Sequence, residues 1–373
     1  MRPAWIEVDL NSLRKNIRNL KKLLSAETEL IGVIKADGYG HGAVKIAEIL
    51  RQEDVKFFAV AILEEGVELR ENGFTERILI LGYTPEEDYP KLIRYQLTPT
   101  IYNYGQAAEL NKIAREMGAI AAIHVKVDTG MGRIGFLPGE DAFNEIIRIS
   151  KLPNIFIEGI YSHLAVADQA DNNFSRKQLT RFKKFTDELT QKGINIPIKH
   201  LANSAGIINF PEMHFNMVRA GISLYGIYPD PLMAVNPKVD LYPVMKVKAK
   251  LSHVKAVPPD TPISYGCTFK TTRGSIIGTV PMGYADGVFR LLSNQGEVLI
   301  RGERCPIVGR VCMDQFMVDL TSLARVQVGD EVVVIGTQGK ERIGVDEVAG
   351  KVGTISYEVV SRMGKRLPRV YID

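Results

Sequence analysis

Leu30-Ile31-Gly32-Val33-Ile34-Lys35-Ala36-Asp37-Gly38-Tyr39-Gly40-His41-Gly42 is the stretch around which the chain is organised. Leu30 to Ile34 has the length and composition of a buried strand, one lysine follows at its end, and a glycine-rich turn opens into a helical pattern near Ala43. An amine held at the mouth of an apolar scaffold has its pKa lowered by desolvation and condenses with carbonyls, while the glycines let other groups approach closely. A solvated lysine in a surface turn is the plainer account of the same residues, and short motifs match by chance. The flanking segments decide between the two.

Upstream, Asn11-Ser12 is placed to cap a helix in which Leu13, Ile17, Leu20 and Leu24 recur at helical spacing. Downstream, strand patterns at 57–62, 78–81, 97–101, 120–128, 155–161, 198–201 and 217–224 alternate with helical or turn-bounded segments, the clearest helices being 42–51, 64–71, 105–117, 140–149 and 175–191. With 30–35 included, eight short strands alternating with helices predict an α/β fold, an N-terminal parallel (β/α)8 TIM-like barrel. The helix beginning near Ser12 has a place in the outer ring beside the last strand. Around Pro229, Pro231 and Pro237 the alternation stops. Beyond it, strand patterns at 245–251, 275–280, 297–300, 316–320 and 331–335 predict a mostly β C-terminal domain, with one helical segment at 344–351. The expected division is 1–235 for the barrel and 236–373 for the β-rich domain, with the strand at 4–9 free to join the second.

Composition narrows the class. A chain of 373 residues with 45% apolar and 24% charged content is that of an ordinary globular protein with room for two domains. Lysine and arginine exceed aspartate and glutamate by only 4, with no dense basic block, so nucleic acid is not an indicated partner. No apolar run is long enough to span a bilayer, and the N-terminal residues lack the apolar core of a signal peptide. Three cysteines, Cys267, Cys305 and Cys312, form too sparse a set for a disulfide framework or a zinc site. A cytoplasmic, metal-free protein is expected.

In a barrel the chemistry gathers where strands end. Lys35, the run Asp128-Thr129-Gly130-Met131-Gly132-Arg133, Ser162-His163, Ala202-Asn203-Ser204-Ala205-Gly206 and Arg219-Ala220-Gly221-Ile222 all fall there. The loops after the last two strands commonly bind phosphate in barrels, and Ser204, Gly206, Gly221 and Ile222 offer a hydroxyl and backbone N–H groups. A Schiff-base lysine with a phosphate site implies pyridoxal 5′-phosphate. Gly130-Met131-Gly132-Arg133-Ile134-Gly135 also fits a dinucleotide fingerprint, with Glu158 on the next strand. Phe136-Leu137-Pro138-Gly139 follows at once, however, where that fingerprint needs its helix already running. On the fifth barrel strand, alternation puts His124, Lys126 and Asp128 on one face, which points into the barrel if Ile123, Val125 and Val127 pack on the helices. A buried lysine there calls for an ion pair with Asp128 or a chemical modification.

The sequence resembles the alanine racemases, fold type III pyridoxal-phosphate enzymes with a barrel and a β-rich C-terminal domain. The matching stretches are 33–42, 126–135, 161–164, 202–206, 218–226, 263–266, 283–287, 311–315 and 356–357, in order over essentially the whole chain. The resemblance implies that Lys35 holds the cofactor and serves as acid and base on one face of the substrate, with Tyr265 on the other. Two groups are needed because a lone base returns the proton where it came from. It implies phosphate contacts from Tyr39, Ser204, Gly221, Ile222 and Tyr357, with Asn203 beside them. Arg219 would face the pyridine nitrogen; it cannot accept a proton, and so would leave that nitrogen unprotonated and the ring a weaker electron sink. His163 would pack by the ring and bond to Arg219. Arg133, Met313 and Tyr284 would border the substrate, and Lys126 would be carbamylated and orient Arg133. The resemblance also implies a homodimer with shared sites, Tyr265, Tyr284 and Met313 coming from the second copy. The implied reaction interconverts L-alanine and D-alanine, the D-alanine serving cell-wall peptidoglycan. Alternatives are a serine or broad-specificity racemase, a diamino-acid decarboxylase, which should carry an acidic partner where this chain has Arg219, and a non-catalytic cofactor carrier, which should need no second domain.

Overall fold

The computed structural model describes residues 2–373. The first strand, β1 (Ala4–Asp9), lies outside the barrel. The barrel is a closed ring of eight parallel strands: β2 (Glu29–Val33), β3 (Phe57–Val60), β4 (Arg77–Ile80), β5 (Thr98–Ile101), β6 (Ala121–Lys126), β7 (Ile155–Tyr161), β8 (Ile198–His200) and β9 (Met217–Ala220). It closes where β9 pairs with β2, Val218 lying opposite Leu30 and Arg219 opposite Ile31. Phe57–Val60 is buried throughout, because a barrel strand is covered by helices outside and by side chains inside, which removes the alternation of a one-sided sheet. The last strand pattern, 217–224, overran its strand. At Gly221, with φ −114° and ψ −105°, the chain leaves the ladder for the short 3-10 turn Ile222–Tyr225.

Helix α1 (Leu10–Lys21) is capped by Asp9 rather than by Asn11-Ser12. Asp9 is still extended as the last residue of β1, so its carboxylate can turn back and accept the Ser12 N–H at 2.8 Å. Leu10, Leu13, Ile17 and Leu20 form the buried stripe. Asn16 lies on the same stripe and is satisfied: it donates to Leu224 O at 3.0 Å and Tyr242 O at 2.8 Å, and accepts the Tyr242 N–H at 2.7 Å. These bonds fasten α1 to the chain that follows the last barrel strand.

The C-terminal part is a ten-stranded, mainly antiparallel sheet. In it β1 pairs antiparallel with β10 (Met245–Lys250) and parallel with the terminal strand Arg369–Ile372. Four of its strands escaped the sequence pattern: His253–Val257 and Glu303–Val308, which carry charge or proline, the three-residue Glu341–Ile343, and Arg369–Ile372, with no buried residue. One apolar core runs from the barrel into this sheet, so the lysine turn after β2 has a rigid backing on two sides.

Candidate active site

The segment after β2 does not continue as an ordinary loop. Ala36, Asp37 and Gly38 have φ/ψ of 52/51°, 53/48° and 60/44°, and Tyr39 has φ 52°: four consecutive left-handed residues, three of them not glycine. Each non-glycine residue in this region costs roughly 1 kcal/mol or more, so the surroundings must over-determine it. Gly38 N–H donates to Ile34 O and Gly40 N–H to Ala36 O, both at 2.9 Å, and Asp37 Oδ1 accepts the Ala43 N–H at 2.9 Å. Glu65 accepts the Ala36 N–H. Arg369, from the terminal strand, grips Gly40 O at 3.0 and 3.1 Å. Glycine is required at position 40, where a Cβ would meet Val360 O at 2.3 Å. The turn thus aims both Lys35 and Tyr39 into one cavity.

That cavity, of about 500 Å³, opens at the C-terminal ends of the barrel strands. Lys35, Lys126, Arg133 and Arg219 line it, and no carboxylate does among the described residues. Burial and the nearby Arg133 and Arg219 charges lower the Lys35 pKa against the opposing pull of Glu65. The Lys126 amine is brought down to about 7 by burial, Arg219 and Arg133. Asp128 does not neutralise it and does not face the cavity; its carboxylate is turned to its own loop, accepting N–H groups of Gly130 at 2.9 Å and of Gly132 and Arg133 at 3.1 Å. The loop then folds back on β6, Phe136 N–H donating to Lys126 O and Asp128 N–H to Phe136 O, both at 2.8 Å. No helix starts before Glu140, so the dinucleotide geometry is absent.

Tyr39, Ser204, Gly221, Ile222 and Tyr357 line the cavity, with Asn203 and His163 beside them. Ser204 Oγ accepts N–H groups of Gly221 at 2.9 Å and Ser223 at 3.4 Å, which leaves its own proton free to donate. A Cβ at Gly221 would come within 2.9 Å of the Tyr39 hydroxyl, so only glycine admits that approach. The Gly206 N–H, expected to be an anion donor, is instead bound at 3.0 Å by Asn203, which caps the short helix Ser204–Asn209.

Arg219 is buried in the wall. Its guanidinium donates to Ser162 O at 2.8 Å, Leu201 O at 3.0 Å, His163 Nδ1 at 3.2 Å and His200 Nδ1 at 2.7 Å. Burial pulls its pKa down to about 10, which still leaves it charged at neutral pH. Burial and the Arg219 charge hold both histidines well below the usual imidazole range. Arginine only donates, so each Nδ1 is an acceptor and each neutral ring carries its proton on Nε2. His200 escaped the sequence reading. Its one signal was a polar residue inside a three-residue barrel strand, whose partners only the strand pairing reveals.

Tyr265, Tyr284 and Met313 do not line this cavity. They are 71%, 38% and 53% exposed on the C-terminal sheet. Their loops interlock: Tyr284 N–H donates to Cys312 O and Ala285 N–H to Met313 O, both at 3.1 Å. Beneath them buried Asp286 accepts the Gly283 N–H at 3.0 Å and pairs with Arg2 at 2.8 Å and Arg366 at 3.3 Å. Tyr161, which does line the cavity, is no substitute base: its hydroxyl pairs with Thr100 at 2.8 Å, and burial pushes its pKa to about 12.

Two family models match, "Alanine racemase, N-terminal domain" over residues 8–229 and "Alanine racemase, C-terminal domain" over 244–371. An alanine racemase of Methanococcus maripaludis is 45% identical over 370 residues, covering 99% of both chains. An alanine racemase structure from Clostridium difficile 630 superposes with a TM-score of 0.95 at 44% identity, covering 100% of this chain and 96% of that one. A structure of alanine racemase from Bartonella henselae with covalently bound pyridoxal phosphate superposes with a TM-score of 0.88 at 30% identity, covering all of both chains (100%).

Proposed function

The chain belongs to the alanine racemase family, and we propose that it is an isomerase interconverting L-alanine and D-alanine with pyridoxal 5′-phosphate held at Lys35. One observation carries this reading: an amine of lowered pKa shares a cavity with three further cationic side chains and no carboxylate. Such a site suits a ligand with a carbonyl, a phosphate and a carboxylate. The free Ser204 hydroxyl proton and the side-chain-free face of Gly221 beside Tyr39 fit the phosphate end.

When bound, the cofactor supplies an electron sink that acidifies the α-hydrogen of the amino acid. The chain's residues do the rest. Lys35 Nζ takes or returns the proton on one face. Tyr265 Oη of a second copy does so on the other, brought there with Tyr284 and Met313 when the sheet of one chain caps the barrel of its mate. Tyr39, Ser204, Gly221, Ile222 and Tyr357 would hold the phosphate, with Asn203 and His163 alongside. Arg219, which offers only donors, would face the ring nitrogen of the bound cofactor, would keep a proton off it and would so limit the sink to racemisation. Arg133 and the Met313 N–H bind the substrate carboxylate. The product is D-alanine for peptidoglycan, and we place the homodimer in the cytoplasm; no helix among the described residues is long and apolar enough to cross a membrane. The purified chain, supplied with pyridoxal phosphate and L-alanine, should generate D-alanine in a D-amino-acid-oxidase-coupled assay. Cofactor binding without any D-alanine would refute the activity.

Lys126 completes the electrostatics. Unmodified, it is a third cation crowding Arg133 and Arg219. Attack of its neutral amine on carbon dioxide forms an N–C bond, releases one proton and leaves a carbamate anion between them. The neutral fraction grows as pH rises through about 7, so carbamylation should grow in the same direction. Activity of bicarbonate-stripped enzyme at pH 6.5 should therefore rise several-fold on adding bicarbonate, with a fall in KM reporting a better-held Arg133. A Lys126→Met variant should lose the response and act about ten-fold more slowly. Equal response of the variant and the parent would remove this role.

A further inference from the structure

A chain of hydrogen bonds leaves Arg219 in the direction away from the cavity. His200 Nδ1 accepts from Arg219 at 2.7 Å, His200 Nε2 lies 2.9 Å from His124 Nδ1, and His124 Nε2 lies 3.2 Å from Glu158 Oε2. Arg77, the first residue of β4, donates to Glu158 Oε1 at 3.3 Å. Every polarity along it is forced. Arg219 can only donate at one end and ionised Glu158 can only accept at the other. Each imidazole must then accept at Nδ1 and donate at Nε2. A proton on both nitrogens of His124 would set two donors against each other at the 2.9 Å junction.

The path is built into the barrel. The β6–β7 register shifts between Ile123 and His124, and the residue opposite His124 is Gly159, where a Cβ would come within 2.5 Å of the imidazole Cε1. Tyr161 stacks on His200 at 4.6 Å and 5°, and Phe57 meets His124 edge-on at 5.6 Å and 83°. Both histidines have no solvent exposure (0%), so neither ring can flip without losing its partners. Burial keeps both imidazoles neutral. Burial would also raise Glu158, but its bond to His124 and the Arg77 charge outweigh that and hold the carboxyl below its usual range.

We propose that Glu158, acting through His124 and His200, is a positioning residue that fixes the orientation of Arg219 at the cavity wall. The role rests on the racemase reading for its consequence in catalysis, and on the hydrogen-bond chain alone for its existence. Arg219 touches no carboxylate; the contacts its guanidinium makes are carbonyls and imidazoles, and its counter-charge stands three links away. Without an acceptor at 158, the His124 Nε2 proton is buried without a partner and only the Arg219 end of the chain still sets its tautomer. Moving the proton to Nδ1 breaks the junction with His200, and Arg219 loses its shortest bond.

The test is a side-chain 15N spectrum of histidine-labelled full-length protein, with and without pyridoxal phosphate. In the parent, His124 and His200 should both appear as neutral Nε2–H tautomers at neutral pH. Glu158→Gln keeps a carbonyl acceptor and should preserve both tautomers, with kcat within about three-fold of the parent. Glu158→Met should shift His124 to a mixed or Nδ1–H state and lower kcat about ten-fold at nearly constant KM. A Nδ1–H His200 in the parent, or a folded Glu158→Met variant with parental tautomers and parental kcat, would overturn the proposal. If Glu158→Met fails to fold, the parent spectrum and Glu158→Gln still decide it. Correct tautomers in a protein that binds the cofactor and forms no D-alanine would overturn the function and leave the hydrogen-bond chain standing.

Discussion

Replacing Lys35 with alanine should lower racemisation by at least about 10³-fold, the scale for losing a group that both anchors and moves the proton. It should also abolish the adduct that borohydride traps on the parent, while the chain still folds. The stability expectation follows from the site. Lys35 is a half-buried amine that lines the cavity with Arg133, Arg219 and Lys126, and burial and the arginines already push its pKa down. Its removal relieves repulsion, so the melting temperature of the cofactor-free protein should stay level or rise. Peptide mapping after reduction is the discriminating measurement, because Lys126 is the only other amine lining the cavity among the described residues. A phosphopyridoxyl group on Lys126 in the parent, or persistent racemisation by Lys35→Ala, would end the assignment.

How far the sequence could carry these statements depended on which information was local. The barrel was legible because runs such as Phe57–Val60 and 78–80 are buried on both faces and so read as unbroken apolar strands between helices. Lys35 stood out because it ends such a run. The left-handed turn behind it did not, since Ala36 and Tyr39 have no intrinsic preference for that region. The conformation is imposed from afar by Glu65 and Arg369, which no local pattern connects to it. Gly206 and Asp128 misled for the opposite reason. Each has a local partner, the Asn203 cap or the loop N–H groups, that claims the atom the pattern had offered to a ligand or to the barrel. The path from Arg219 to Glu158 needed strand register: His200, His124 and Glu158 lie on three strands and meet only because β6 slips by one residue against a glycine.

A Tyr265→Phe variant should lose about 10³-fold in racemisation, because one face of the substrate then has no acid or base. Its α-hydrogen exchange in deuterium oxide should persist for one enantiomer and vanish for the other, since Lys35 still works on its own face. Lys35→Ala, which loses the amine that anchors the cofactor as well as one of the two bases, should show neither exchange. The decisive experiment mixes the two variants. Tyr265 stands 71% exposed and outside the cavity lined by Lys35 of the same chain, so on the proposed mechanism the two groups would act together only across two copies. In a mixed dimer one site then combines both defects and the other combines an intact Lys35 with an intact Tyr265. Unfolding and refolding an equal mixture makes about half the dimers mixed, so activity should return to about one quarter of the parent's, from two inactive components. Were both groups to act within one chain, every site in the mixture would lack one of them and no activity would return.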